Sequence, residues 1–412
     1  MVQEPGGLGQ SYRMRHDIHF LVFLMGAAIV GALLLRIGLQ RVRVPALVGY
    51  FALGIGIGWV GDRFHLLQEQ GIEIFEFLAE LGVIALIFRI GLESDFAKLL
   101  GQLRRASGIW LTNVIVSGVG GYATAYWLLQ MGLIPSLIIG VAFTATSVGV
   151  ALGTWREAGA LKSERGELLL DVAEMDDLSA ILLMGLLFAL LPDLQTHQYE
   201  SLWGDLGLAS GWFILKLTGL AALCFVFARY GERLITGFVR KMTSNALLVV
   251  VGIGIMIAAL AGMLGFSAAI GAFFAGLIFS RDPEAVKIDA SFQTLYDFLT
   301  PFFFIGIGLT IEPSAIGGGL GIGLVLASVA IVVKVLGAGL PAIASLGTKG
   351  AVLIGVSMVP RAEISLVIMK TASDLGTWAV PHELFAGMVV VSAITSVLAP
   401  ILLFPLLRRW QK

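Results

Sequence analysis

The sequence predicts an all-α polytopic membrane protein of about thirteen transmembrane helices, arranged as inverted repeats with two broken helices that cross at mid-membrane. Three observations lead there. Hydrophobic residues make up 58% of the 412 and charged residues 13%, about half the charged share of soluble domains. Apolar stretches long enough to cross a bilayer recur along the whole chain. Charged residues also interrupt several of those stretches at one depth, where lipid tolerates them only beside partners or water.

A span needs roughly 20 mostly apolar residues, within a range of about 17 to 25. On that rule spans fall near 18–38, 44–60, 72–92, 106–130, 134–156, 165–191, 205–229, 246–263, 265–280, 294–312, 317–344, 350–370 and 383–407. The first has no small-residue cleavage site after it and reads as a retained span, not a signal peptide. Lys and Arg mark cytoplasmic loops, and here they follow the odd-numbered spans: Arg36, Arg41 and Arg43; Lys98, Arg104 and Arg105; Arg156, Lys162 and Arg165; Arg229, Arg233, Arg240 and Lys241; Arg281 and Lys287; Lys349; and Arg408, Arg409 and Lys412. The loops between offer only Arg63 and, at a helix end, Lys370. The N-terminus is therefore expected outside and the C-terminus in the cytoplasm, with Arg13 and Arg15 mildly opposed.

Residues 1–17 then form an extracytoplasmic tail, 18–407 the transmembrane domain and 408–412 a short cytoplasmic tail. No soluble regulatory domain is expected, so a regulatory subunit would be a separate chain. A net charge of −1 gives no argument for nucleic acid, and the single Cys224 excludes disulfides and cysteine-ligated metal.

Depth follows from the ~1.5 Å rise per helical residue. Asp176 and Asp177, in DVAEMDDLSAILL, lie ~16–18 Å above the helix start at Arg165, near the middle of a hydrocarbon core about 30 Å thick. Lys334 in SVAIVVKVLGAG, Arg361 and Glu363 in SMVPRAEIS, and Thr144, Thr146 and Ser147 in AFTATSVGV reach the same level. Four helices thus bring polar groups to one depth. A buried ion-pair network would account for them structurally. The adjacent aspartates argue for more, because neighbours on a helix point about 100° apart. One can face Lys334 while the other faces a cavity, and intramembrane charges usually mark an ion pathway.

Pro360 sits mid-helix beside Arg361, and ATSVG is poor in helix formers. Taken alone, ATSVG equally fits a close helix–helix packing surface. Together the two read as broken helices that present their ends to an ion. Spans four to six and eleven to thirteen each centre on a polar middle helix. An odd offset of seven spans separates the two triplets, so they have opposite orientation. Other charges rank lower: Glu73, Glu76 and Glu80 read as a hydrated face, and Arg89 with Glu93 and Asp95 as an ion pair at a helix end. Lys216 reads as locally paired, and the five histidines show no metal spacing. Asp171 and Glu174, at spacing three from Asp177, line a cytoplasmic funnel or pair with basic loop residues.

In this order and spacing, FRIGLESD (88–95), TATSVGV (144–150), the Asp-Asp pair, the lysine of VVKVLGAG and PRAEISLVI (360–368) resemble the bacterial monovalent cation:proton antiporters of the sodium/proton exchanger superfamily. The resemblance covers nearly the whole chain. It implies a core unit and a dimerisation unit, a homodimer, and elevator-like alternating access in the inner membrane. By it Asp177 is the main ion and proton site, where the monovalent cation binds, and Asp176 pairs with Lys334. Thr146 and Ser147 lie at the ion site, and Arg361 with Glu363 form a stabilising contact near the second broken helix. PRAE stands where many members have PRGE, and the acids at 171 and 174 are less usual.

The function implied is exchange of Na⁺ for H⁺, with K⁺/H⁺ exchange of the potassium-efflux type as the alternative and no enzyme-type cofactor. An intramembrane aspartyl protease also needs two midplane aspartates, but on two helices. A passive channel is disfavoured by Lys334 and Arg361 at the cation depth.

Overall fold

The computed structural model describes residues 6–42, 44–64, 69–94, 96–195, scattered positions within 211–222, and 246–264, 266–280, 285–312 and 314–410. Most of the span expected at 205–229, with Cys224, and Asp95 lie outside the described residues. Among the described residues there are thirteen α-helices. They are α1 (Gly6–Arg41), α2 (Ala46–Phe64), α3 (Glu69–Glu93), α4 (Phe96–Ala123), α5 (Leu133–Thr144), α6 (Val148–Glu157), α7 (Glu164–Gln195), α8 (Ala246–Met263), α9 (Ala268–Phe279), α10 (Ala285–Leu309), α11 (Ala315–Ser357), α12 (Glu363–Ser373) and α13 (His382–Trp410). Stretches of α1, α10, α11 and α13, and α5 with α6, are long and apolar enough to cross a membrane. The chain is an all-α polytopic membrane protein.

The helices map onto the expected spans with instructive differences. The link between 246–263 and 265–280 is real: α8 stops at Met263, and Ser267 caps α9 by accepting from the Ile270 N–H at 3.4 Å. The spans expected at 317–344 and 350–370 meet inside α11, which turns at Gly347, where φ is +66°. Only glycine adopts that backbone without strain. The expected span at 134–156 is broken into α5 and α6 by extended backbone at Ala145, and the one around Pro360 into the end of α11 and α12. The breaks cross: the Ser147 N–H donates to the Pro360 carbonyl at 2.7 Å. The α1 helix begins upstream of the apolar stretch, at Gly6.

Helices α4–α7 pack with α11–α13, and α1–α3 pack with α8–α10. The first group holds both broken helices. Among the described residues the groups meet where α7 touches α9, α12 touches α3 and α13 touches α2.

Within the second group, two crossings bring backbone against backbone. A Cβ on Gly54 (α2) would stand 2.1 Å from the Ile305 carbonyl oxygen, and one on Gly308 (α10) 2.4 Å from that of Phe51. A Cβ on Gly91 (α3) would stand 2.1 Å from the Phe273 oxygen, and one on Gly276 (α9) 2.1 Å from that of Phe88. In all four cases the carbonyl lies three residues before the partner's glycine. The two crossings thus share one reciprocal geometry.

Without a hydrophobic force between helices in lipid, close packing on small residues carries the association. Gly276→Ala removes that approach, and overpacking of this kind costs about 1–3 kcal/mol although alanine is the better helix former. Thermal unfolding in detergent is expected to show a lower transition temperature for Gly276→Ala, and little change for Gly262→Ala, where a Cβ meets open space.

Candidate functional site

The site starts from a problem the broken helices create. The last four carbonyls of a helix have no partner within it, and α5 ends inside the protein. Two buried cations satisfy them. Lys334 Nζ, from α11, donates to the Thr144 carbonyl at 2.9 Å. Arg361 Nη1, from the second break, donates to the carbonyls of Phe143, of Ala145 at 3.1 Å and of Ala142 at 3.4 Å, and its guanidinium lies over the Phe143 ring. Ser365 Oγ adds a bond to the Ala142 carbonyl at 2.8 Å. Cations are favoured at that end by the helix dipole.

Asp176 completes the arrangement. Its Oδ2 accepts from Lys334 Nζ at 2.9 Å, Asn113 Nδ2 at 2.6 Å and Thr146 Oγ1 at 2.7 Å. Lys334, Asp176 and Arg361 are all 0% exposed. Lys334 thus ties the carboxylate of α7 to the carbonyl end of α5. Asn113 was not singled out in the sequence, although an asparagine inside the apolar run WLTNVIV is itself a signal of buried hydrogen bonding.

Asp177 is placed differently. It is half-buried and forms part of the wall of a cavity of about 270 Å³, and its Oδ1 is buried without a hydrogen-bond partner. Thr146 and Gly149 from the first break, Glu174 from α7, Glu363 and Ile364 from α12, Arg89 and Glu93 from α3 and Tyr296 from α10 also line it. Ser147 Oγ donates to Glu363 Oε2. Glu363 opens α12, where the helix dipole favours an acid.

The structure brings Asp176, Lys334 and Thr146 into direct contact, and Asp177, Thr146 and Glu363 onto one cavity wall. It does not bring Arg361 and Glu363 together: the arginine caps α5, and the glutamate takes Ser147. Glu174 lies in the wall while Asp171, 3% exposed, is buried away from it. Six residues along an α-helix leave a side chain about 120° away, so a spacing of three repeated twice turns off the cavity. Arg89 and Glu93 do pair, at 2.7 Å, but in the cavity wall. Glu73, Glu76 and Glu80 are exposed on α3. Lys216 donates to the Leu264 carbonyl at 3.4 Å.

A carboxylate at the end of a cavity, beside crossed helix breaks and oxygen donors, can be neutralised by a small cation or by protons. Such an arrangement defines a secondary ion transporter.

Comparison with known proteins carries the class to a family. The sodium/hydrogen exchanger transmembrane family model matches residues 26–409, and the chain belongs to that family. It is 26% identical over 385 residues to the Na(+)/H(+)-K(+) antiporter GerN of Bacillus cereus, covering 92% of this chain and 93% of that protein. It is 24% identical over 397 residues to the Na(+)/H(+) antiporter of Enterococcus hirae, covering 94% and 97%. The fold matches the sodium proton antiporter MjNhaP1 of Methanocaldococcus jannaschii with a TM-score of 0.70 at 16% identity, over 95% of this chain and 98% of that one.

Removing one partner of a buried ion pair strands the other charge, at a cost of about 3–5 kcal/mol, whereas removing both is often nearly neutral. Lys334→Ala is therefore expected to lower the unfolding temperature markedly, and Asp176→Ala with Lys334→Ala to recover part of the loss. Strictly additive losses in that double-mutant cycle would show that the two residues do not interact energetically.

Proposed function

We propose that this protein is a monovalent cation:proton antiporter, with Na⁺ as the first-choice cation, working by alternating access at Asp177. One observation carries the reading. Of two adjacent aspartates, Asp176 is fully buried and holds Lys334, Asn113 and Thr146 through its Oδ2, whereas Asp177 lines the cavity and has no such partners; the Oδ1 of each is buried without a hydrogen bond. The first is a fixture and the second a binding group.

The mechanism needs only competition. In the loaded state Asp177 holds a desolvated cation, with the Thr146 hydroxyl and Glu363 as further oxygen donors. Thr146 gives its proton to Asp176 and keeps lone pairs for a cation. Protons neutralise the same carboxylate, so proton release accompanies cation entry. In either neutral state the group α4–α7 with α11–α13 moves against the other helices and turns Asp177 to the opposite side. The cavity reaches Asp177 past the C-terminal end of α3, and the distribution of Lys and Arg supports a cytoplasmic position for that end, with the N-terminus outside.

The protein works as a homodimer in the cell's inner membrane, with the transmembrane domain at 18–407 and any regulatory subunit a separate chain. Transport, not catalysis, is its activity: aspartyl proteolysis needs two carboxyls sharing a water, and Asp176 is locked to Lys334. Potassium is the second cation to test, because the name of GerN joins the two ions.

Two outcomes test the reading. Asp177→Asn proteoliposomes, read by a pH-sensitive dye, are expected to lose sodium-driven proton release by at least about a hundredfold, beyond what one hydrogen bond contributes. Wild-type-like exchange would exclude Asp177 as the site. Second, the half-saturation concentration for sodium is expected to rise as pH falls over about two units, with little change in maximal rate at saturating cation, since both ligands neutralise one carboxylate. A constant half-saturation with a falling maximal rate would point instead to a separate proton sensor.

A further inference from the structure

We propose that Arg89 sets the cation affinity on the cavity side: its guanidinium is tethered in the cavity wall and competes with the entering cation for the carboxylates there. The inference rests on the antiport reading of Asp177 and adds to that site a residue from the opposite group of helices. Arg89 Nε donates to Glu93 Oε1 at 2.7 Å, and the guanidinium carbon stands 4.4 Å from the centre of the Tyr296 ring. The side chain is 25% exposed. Four acids, Glu93, Glu174, Asp177 and Glu363, share the wall with it. Among the described lining residues, Arg89 alone is cationic.

The simplest account of Arg89 is an i,i+4 pair near a helix C-terminus, which the helix dipole also favours. That account leaves the geometry unexplained. A pair serving only α3 has no need to lay its guanidinium on a ring of α10 inside an ion cavity. Arginine suits that place because it is planar, permanently charged and stacks on aromatic faces. Tyr296 and Glu93 therefore fix a positive charge on the route to Asp177. Like charges repel more strongly in a low-dielectric cleft than in water, and salt screens them less there. A cation entering from this side meets that repulsion, and a bound one is helped to leave.

The placement also makes the effect one-sided. Arg89 and Tyr296 sit on α3 and α10, which pack together, while Asp177 and Glu363 sit on α7 and α12 in the other group. Once that group moves, Asp177 leaves the field of the guanidinium. The same carboxylate then binds cations more tightly on the far side than on the cavity side.

The test uses the full-length protein in proteoliposomes, with sodium supplied from each side in turn and unfolding temperature recorded for every variant. Removal of a like charge at this range is expected to lower the half-saturation concentration of Arg89→Gln about three- to tenfold from the cavity side. From the other side it should match the wild type. Arg89→Lys retains the charge and is expected to stay near wild-type affinity. Glu93→Gln, which releases the guanidinium toward Glu174 and Glu363, is expected to raise the half-saturation value, and adding Arg89→Gln to it should reverse that rise. An unmoved or higher value in Arg89→Gln, an equal shift from both sides, or the same shift in Arg89→Lys would overturn the inference. So would a Glu93→Gln value that does not rise, which keeps the test decisive should Arg89→Gln fail to fold. Exchange that persists with unshifted half-saturation defeats this inference alone, whereas wild-type vesicles without sodium-driven proton movement defeat the antiport reading and this inference with it.

Discussion

The open carbonyl end of α5 is the constraint on which the site depends. In a membrane no bulk water is available to satisfy a helix that stops halfway, and each orphaned carbonyl would cost several kcal/mol. Lys334 and Arg361 answer that need from two other helices. Both are buried, so they in turn require negative partners. The carbonyls serve both, and Asp176 pairs with Lys334. Charges that look extravagant as a sequence are consequences of one interrupted helix. The second break contributes Pro360 and Ser147's backbone bond to it, which holds the two interruptions against each other.

Adjacent aspartates take opposite roles because a helix turns about 100° between neighbours. Asp176 points to the lysine, the asparagine and the threonine, and its charge is spent on structure. Asp177 points to the cavity. The pair separates a carboxylate bound to a buried lysine from one that lines the cavity, although both belong to the same turn of α7. Glu363 shows the same economy of position: it faces the cavity from the first turn of α12, while Arg361, two residues earlier, faces the carbonyls of α5.

Much of this was legible in the sequence, and the reasons differ by feature. Span positions and the two interruptions follow from hydropathy, Pro360 and the helix-poor ATSVG segment, all local properties. Equal depth, which the helical rise converts from residue counts, lets one aspartate of the pair meet Lys334, and the family resemblance assigns that partner to Asp176. Pairings that depend on azimuth were not legible. Arg361 and Glu363 share a depth yet face different partners, because the backbone between them, at Ala362, is not helical (φ −144°, ψ −85°). Asp171 shares a stripe with Glu174 only approximately, and the angular drift takes it out of the cavity wall. Asn113 leaves little trace in the hydropathy of its span, because a single amide changes it little. The spacing of Arg89 and Glu93 predicts a pair, but nothing in the sequence announces that the Tyr296 ring lies beneath the guanidinium.

The reciprocal glycine contacts carry a mechanical consequence. At Gly54 against Gly308, and at Gly91 against Gly276, no side chain stands between the two backbones, so there is no rotamer that can yield and no padding to shear. Those crossings leave little room for one backbone to shift against the other. Among the described residues the boundary between the two groups, where α7 meets α9 and α12 meets α3, is thinner. Compliance is therefore distributed unevenly: deformation concentrates along that boundary, and the glycine-locked helices keep their shape. The lock also fixes the height of α3 against α9, and with it the level at which Arg89 stands in the cavity wall.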